Sequence, residues 1–313
     1  MHHKVHTTKR RRCYLPGVVA QVACAAVLLA GSAAPSRAQG TPDAKKPAAT
    51  PELPAVTVSG STLKEERRVG KYRQPEWTTE RRFAESRAYV LPNGMVELEQ
   101  WWRGTYKRDR SEAHRFLTEI AVGLPGRWQL DLYAHLERES GGNTHYIGEQ
   151  VEARYALADW GRIPANPTLY LEWKNNHDAA HVLEGKLLLA DEVRRGWHWA
   201  ANFSFEEEMG GSREIERAIT FAVSKTVKDS KFGVGIEAVL EHVTAHGSSS
   251  ETAFLIGPSF QWRPTRTVHV DVVPLFGTTH DSPDSQIFVV LGVNLRQGEK
   301  GKDAEGPVSS RIR

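Results

Sequence analysis

Trp128-Gln129-Leu130-Asp131-Leu132-Tyr133-Ala134-His135-Leu136-Glu137 alternates from end to end: Trp128, Leu130, Leu132, Ala134 and Leu136 are apolar, and the residues between them are mostly polar or charged. Successive side chains of a β-strand point to opposite faces, so this stretch reads as a strand with one greasy and one wet face. The pattern recurs between Met95 and Arg296. It marks out strands at 95–107, 113–123, 127–138, 144–157, 166–174, 181–192, 196–207, 213–226, 231–243, 251–263, 266–276 and 286–296. The expected fold is all-β: a transmembrane antiparallel up-and-down β-barrel of about 12 strands.

The connections support a barrel over a soluble sandwich. After every second strand they are tight: Leu124-Pro125-Gly126, Val193-Arg194-Arg195, Val227–Ser230 and Pro264-Thr265, with one longer exception at Ala158–Ala165. The others are polar and looser: Ser140–Asn143, Asn175–Asp178, Met209–Ser212, Thr244–Ser250 and Gly277–Ser285. Tight periplasmic turns alternating with longer outer loops is the asymmetry of outer-membrane barrels. Strand parity then puts aromatic residues in two girdles, with Trp128, Tyr155, Trp197, Phe232 and Trp262 at periplasmic ends and Trp173, Phe205 and Phe276 at outer ends. The outward parity is otherwise apolar, as in Phe203, Ile219, Phe221, Val223, Val234, Ile236, Leu240, Ile287, Val289, Leu291, Val293 and Leu295. Arg217, Lys225 and Glu149 break it near strand ends, where long stems reach the interface.

The inward parity is rich in acids: Glu97, Glu99, Glu119, Asp131, Glu137, Glu152, Glu172, Glu184, Glu206, Glu216, Glu237, Glu241 and Asp271. Fewer bases share it, namely Arg103, Lys107, Arg154, Lys174, Lys186, Arg263 and Arg296, together with His135, His198 and His269. Such a lining implies a negative field in a water-filled passage, favouring cations or basic solutes. The competing reading is a closed barrel whose acids and bases pair across strands, as Glu152/Arg154, Glu172/Lys174 and Glu184/Lys186 suggest.

Residues 1–38 read as an export signal, with Lys9-Arg10-Arg11-Arg12 as basic region, Val18–Ala30 as apolar stretch and Ser36-Arg37-Ala38 as cleavage site. Both cysteines, Cys13 and Cys24, fall inside it, so the mature chain has no disulfide and no thiolate site. Residues 39–52 read as a disordered linker, 53–94 as a periplasmic N-terminal extension with Arg67-Arg68 and Arg81-Arg82, and 297–313 as a flexible polar tail. The sequence leaves open whether 53–94 folds into the lumen, caps the periplasmic mouth or reaches a partner; its basic pairs offer a plug for an acidic lumen. Val56-Thr57-Val58-Ser59-Gly60-Ser61 resembles the short box by which energised receptors touch the TonB protein, but the chain has no room for such a receptor's large barrel. The net charge of +3 includes the basic signal, which leaves no footprint for nucleic acid.

The sequence implies no cofactor and no metal. His242, His246 and His280 lie on separate loops without ligand spacing. Glu241-His242-Val243-Thr244 resembles the His-x-Ser stretch of outer-membrane phospholipase A. Thr stands for Ser and the following strand offers no Asn to orient the histidine, so no catalytic residue is expected.

From Val90 onward the chain resembles a broad group of bacterial outer-membrane β-barrel transporters, often grouped with the barrel proteins of phenol-degradation meta-pathways. The resemblance is carried by Leu91-Pro92-Asn93-Gly94-Met95-Val96-Glu97-Leu98-Glu99, by Gly123-Leu124-Pro125-Gly126-Arg127-Trp128-Gln129-Leu130 and by Val289–Leu295. It implies passage or binding of small molecules at the outer membrane. The sequence-based expectation is thus a non-enzymatic channel in the bacterial outer membrane. Its expected partners are outer-membrane lipid, the barrel-assembly machinery, small solutes of unspecified kind and a periplasmic partner for residues 53–94.

Overall fold

The computed structural model describes residues 63–245, 247 and 249–298. The export signal, the linker, the TonB-box-like stretch, His246 and the tail beyond Gly298 lie outside the described residues. After a small hairpin of β1 (Arg68–Val69) and β2 (Gln74–Pro75), twelve strands follow: β3 (Val96–Tyr106), β4 (Glu112–Leu124), β5 (Trp128–Glu139), β6 (His145–Ala156), β7 (Thr168–Asn176), β8 (Val182–Arg194), β9 (Trp197–Glu208), β10 (Ile215–Lys228), β11 (Phe232–Thr244), β12 (Glu251–Trp262), β13 (Val268–Gly277) and β14 (Ser285–Arg296). Each barrel strand pairs antiparallel with its sequence neighbours, and β14 pairs with β3 to close the ring. The expected boundaries agree with these within two residues. Among the described residues no helix is long and apolar enough to cross a membrane.

The alternation that defined β5 survives with the burial a membrane demands. Its apolar residues face outward, Trp128 and Leu132 being 47% and 48% exposed, while Gln129, Asp131, Tyr133 and His135 are buried. A soluble sheet would bury the opposite set. Leu171, Phe203, Ile219, Phe221, Ile236, Phe260 and Leu291 continue the exposed apolar belt around the barrel. Of the expected girdle residues, Trp128, Trp173, Phe205, Phe232, Trp262 and Phe276 are exposed, and Tyr155 and Trp197 are half-buried.

The parity breaks have local partners. The Lys225 ammonium lies 5.1 Å from the Trp197 ring and the Arg217 guanidinium 5.7 Å from Phe205, so each cation sits over a girdle aromatic. Glu149 follows a bulge at His135/Leu136, where Gly148 takes φ 150, and it accepts hydrogen bonds from Tyr146 and Asn175.

At the end bearing residues 63–95 the connections after β4, β8, β10 and β12 are tight. The longer one, between β6 and β7, folds back inward: Trp160 is buried and its amide donates to Tyr72 O. The connections at the far end are exposed. One of them, Lys107–Ser111, is fixed by Asp109, whose carboxyl accepts from the Ser111 hydroxyl and amide and is held below its usual pKa by those bonds.

A charge introduced in the middle of the belt meets lipid on all sides. Phe221→Arg is expected to destabilise the barrel by about 2–4 kcal/mol, read as a lowered denaturant midpoint in bilayers.

Candidate functional site

The site is the barrel interior, and its main occupant is the chain's own N-terminal segment. The extension at 53–94, whose place the sequence left open between lumen, periplasmic mouth and partner, enters the barrel with its described residues. Backbone amides of Ala84 and Glu85 donate to the Glu237 carboxylate on β11 at 3.1 Å each. Ser86 Oγ meets Thr220 Oγ1 on β10 at 2.8 Å. Arg87 exchanges two backbone bonds with the Asn202 amide on β9, at 2.7 and 2.8 Å. Leu91 N donates to Gln129 Oε1 on β5 at 2.6 Å. A single stretch that touches β5, β9, β10 and β11 through their inward side chains can lie only in the lumen.

The arginines of this segment find the acids of the wall. Arg81 forms ion pairs with Glu99 at 2.7 Å and Glu119 at 3.1 Å, and its guanidinium sits 3.8 Å from the Trp101 ring. Arg87 reaches Glu119 at 3.2 Å and the Tyr133 hydroxyl at 3.0 Å. Arg263, at the end of β12, binds Glu80 at 2.5 Å and donates to Arg81 O at 2.6 Å. Arg82 pairs within the segment, with Glu65 at 2.7 Å, and Glu65 also accepts from Thr226 on β10. Asp229 in the β10–β11 turn accepts from Lys64 N, and Glu66 accepts from Gly196 N, so the start of the segment is clamped to the turns at the mouth.

Small residues of the wall make room for its rings. Tyr72, Trp77, Phe83, Tyr89 and Val90 pack with Trp160 against Ala156, Ala190, Ala200 and Ala222 of β6, β8, β9 and β10. Trp77 and Tyr89 meet Trp160 edge-on at 5.6 and 5.2 Å. The segment enters the lumen beside Gly123, where an added Cβ would run into the carbonyls of Leu91 and Pro92; Gly94 N donates to Gly123 O at 2.8 Å and Gly123 N to Met95 O at 3.0 Å. The two stretches Leu91–Met95 and Gly123–Gly126 are therefore two sides of one crossing.

The inward acids and bases fall into three groups. Glu97, Glu99, Glu119, Asp131, His135, Glu152, Arg154, Glu172, Glu184, His198, Glu237, Arg263, His269 and Asp271 are buried. Arg103, Glu137, Lys174, Lys186, Glu206, Glu216 and Glu241 are half-buried. Lys107 and Arg296 are exposed at strand ends and do not share the interior, because Tyr106 and Leu295 already stand at the rims. Within the wall, Arg154 pairs with Glu152 and with Asp131 at 2.9 Å, and Lys174 pairs with Glu184 at 3.2 Å, with Glu172 at 3.6 Å and with Glu206. Lys186 pairs with Glu184 at 2.9 Å.

Two features depart from a purely acidic water-filled lining. Part of the inner wall on β11–β14 is apolar, where Val239, Leu255, Val273, Leu275 and Phe288 pack as one buried cluster with Ala84 of the segment. Between segment and wall, a cavity lined by Arg81, Arg87, Glu97, Glu99 and Glu119 measures about 40 Å³, room for a few waters.

The hydrolase-like stretch is not assembled. His242 Nδ1 faces Thr252 Oγ1 at 2.9 Å, whereas Thr244 Oγ1 donates to Ile215 O at 3.3 Å. Sequence reasoning offered the Arg67-Arg68 and Arg81-Arg82 pairs as a plug for an acidic lumen but named no wall partner for them, and it did not assign Glu80, Arg87, Tyr89 or Trp160 to the site.

No family model and no curated protein matches the chain. Among solved structures it is similar to an outer-membrane channel from Pseudomonas putida F1, at 9% identity over 69% of this chain and 100% of that one, with a TM-score of 0.51. It is also similar to the KdgM porin in complex with disordered oligogalacturonate (9% identity, 64% and 99% covered, TM-score 0.47) and to the NanC porin (12%, 64% and 99%, 0.45). At such identities the likeness concerns the fold, an outer-membrane type of closed β-barrel.

Leaving a buried carboxylate without its partner costs about 3–5 kcal/mol. Arg81→Met is expected to loosen the segment, seen as faster amide exchange over residues 78–91. Adding Glu99→Gln and Glu119→Gln should slow that exchange again.

Proposed function

We propose that the chain is an outer-membrane channel for small solutes that is held shut by its own residues 63–95. The supporting observation is the Arg81/Arg87 bridge to Glu99 and Glu119 in the middle of the barrel. An unobstructed passage would hold water and counter-ions there. The segment is covalently tied at Met95 and otherwise held by ion pairs, hydrogen bonds and one aromatic cluster. Its withdrawal toward the mouth opens the passage without unravelling the wall. Once it is withdrawn, Glu99, Glu119 and Glu237 face water without their segment partners, and the lumen prefers cations or basic solutes.

In this reading the belt faces outer-membrane lipid, the assembly machinery inserts the barrel, and a periplasmic partner acts on the segment. The resemblance to phenol-degradation-type barrels enters as a pointer to small-molecule passage, and the work is transport without catalysis. The apolar cluster of Val239, Leu255, Val273, Leu275 and Phe288 favours a second reading, a closed binding or structural barrel, because it gives the wall an apolar patch that packs on Ala84 of the segment in place of a water-lined surface.

Single-channel recording in a salt gradient separates the two. The full chain should carry little current, and Arg81→Gln/Arg87→Gln or deletion of 63–91 should give stable steps with a cation-selective reversal potential. That selectivity should weaken as salt rises and the screening length falls from about 10 Å at 0.1 M to about 3 Å at 1 M. Correctly inserted variants that carry no current would reject the channel and leave the closed barrel.

A further inference from the structure

Three adjacent strands bring a second cluster together inside the wall. His269 on β13 is in register with Gly292 on β14, and Gly292 is in register with Glu99 on β3. The imidazole lies across Gly292, where an added Cβ would run into the ring. It therefore spans β14 and places Nε2 3.1 Å from Glu97 Oε1 and 3.4 Å from Glu99 Oε1. Its other nitrogen, Nδ1, is 2.6 Å from Asp271 Oδ2. All four residues are buried.

We propose that Glu97, Glu99 and His269 form a binding site for a divalent transition-metal ion, zinc foremost, with Asp271 orienting the imidazole. Nitrogen and oxygen ligands stand about 2.0–2.2 Å from zinc, so neighbouring ligand atoms lie about 3.0–3.5 Å apart. The two contacts of Nε2 have that spacing, and the three donor atoms all lie within 4.8 Å of one another. An imidazole whose second nitrogen is held by a carboxylate is the usual arrangement of a metal-binding histidine.

Glu99 is already turned the right way. Arg81 Nε donates to both of its oxygens, at 2.8 Å to Oε2 and 3.1 Å to Oε1, and Trp101 Nε1 donates to Oε2 at 2.9 Å, which holds the carboxylate with Oε1 on the His269 side. Charge points the same way. Among the described residues, Glu97 and Asp271 each have His269 as their side-chain hydrogen-bond partner, so two buried carboxylates share one imidazole. Among the described residues, Asp271 Oδ1 has no hydrogen-bond partner, and neither does the amide of Gln261, its register neighbour on β12. Buried negative charge left in that state is costly, and a dication offsets it. One imidazole with two carboxylates suits zinc and its first-row neighbours better than calcium or magnesium, which favour all-oxygen shells. The site stands whether or not the barrel conducts.

The test uses the full chain, refolded in detergent, stripped with chelator and titrated with zinc chloride by calorimetry, followed by X-ray absorption at the zinc edge. One saturable site per chain with one imidazole and oxygen donors is expected. His269→Gln should weaken it about a hundredfold or more, and Asp271→Asn about 10–100-fold with the imidazole still bound. Gly292→Ala should weaken it by displacing the ring, while His280→Gln changes nothing. A folded wild-type chain without a saturable site, a spectrum without imidazole, or an affinity indifferent to His269→Gln would each overturn the proposal. Should His269→Gln fail to form a heat-resistant barrel, the wild-type spectrum and Asp271→Asn decide the matter in the same terms.

Discussion

The rest of the structure depends on neutralising charge inside a low-dielectric ring. The wall turns more carboxylates inward than bases, and each buried carboxylate without a partner costs several kcal/mol. Arg154, Lys174 and Lys186 settle part of this within the wall. Arg81 and Arg87 settle another part from the segment that precedes β3. Wall and segment are therefore electrostatic complements, and neither is comfortable alone. The alanines at 156, 190, 200 and 222 and the turn carrying Trp160 give that complement its fit.

The interior divides along its axis. Toward the mouth where residues 63–95 enter, aromatic packing and the Glu65 and Asp229 contacts fill the space. Toward the far end, Arg103, Glu137, Glu206, Glu216 and Glu241 are only half-buried. One end is thus packed, and the other presents charges to water. Across the barrel, an apolar patch on β11–β14 sits beside the inward Glu237, His269 and Asp271 of the same strands.

The wall was legible because a period of two survives in any strand that separates lipid from a polar interior. Trp128–Glu137 shows it, and the girdles follow from parity. The apolar inner patch was hidden because Val272–Phe276 is greasy on both faces, so alternation said little about what Val273 and Leu275 touch. The path of residues 63–94 was illegible for a different reason. It has no period, and its bonds join residues far apart in the chain, such as Ser86 with Thr220. The same holds for His269 and Glu97, which were each read as lining residues; only the register of β13, β14 and β3 makes them neighbours.

The closing seam joins β14 to β3, and β3 is the strand to which the inner segment is tethered. The first barrel strand therefore waits for the last, and the segment hangs at the open edge throughout. Loop-closure entropy makes such a long-range pairing the slow event in forming the wall. A segment already bound to Glu119 of β4, Asn202 of β9, Thr220 of β10 and Glu237 of β11 draws β3 toward the free edge of β14 and shortens that search. The strap that fills the finished barrel is in this sense also the template on which the ring is closed.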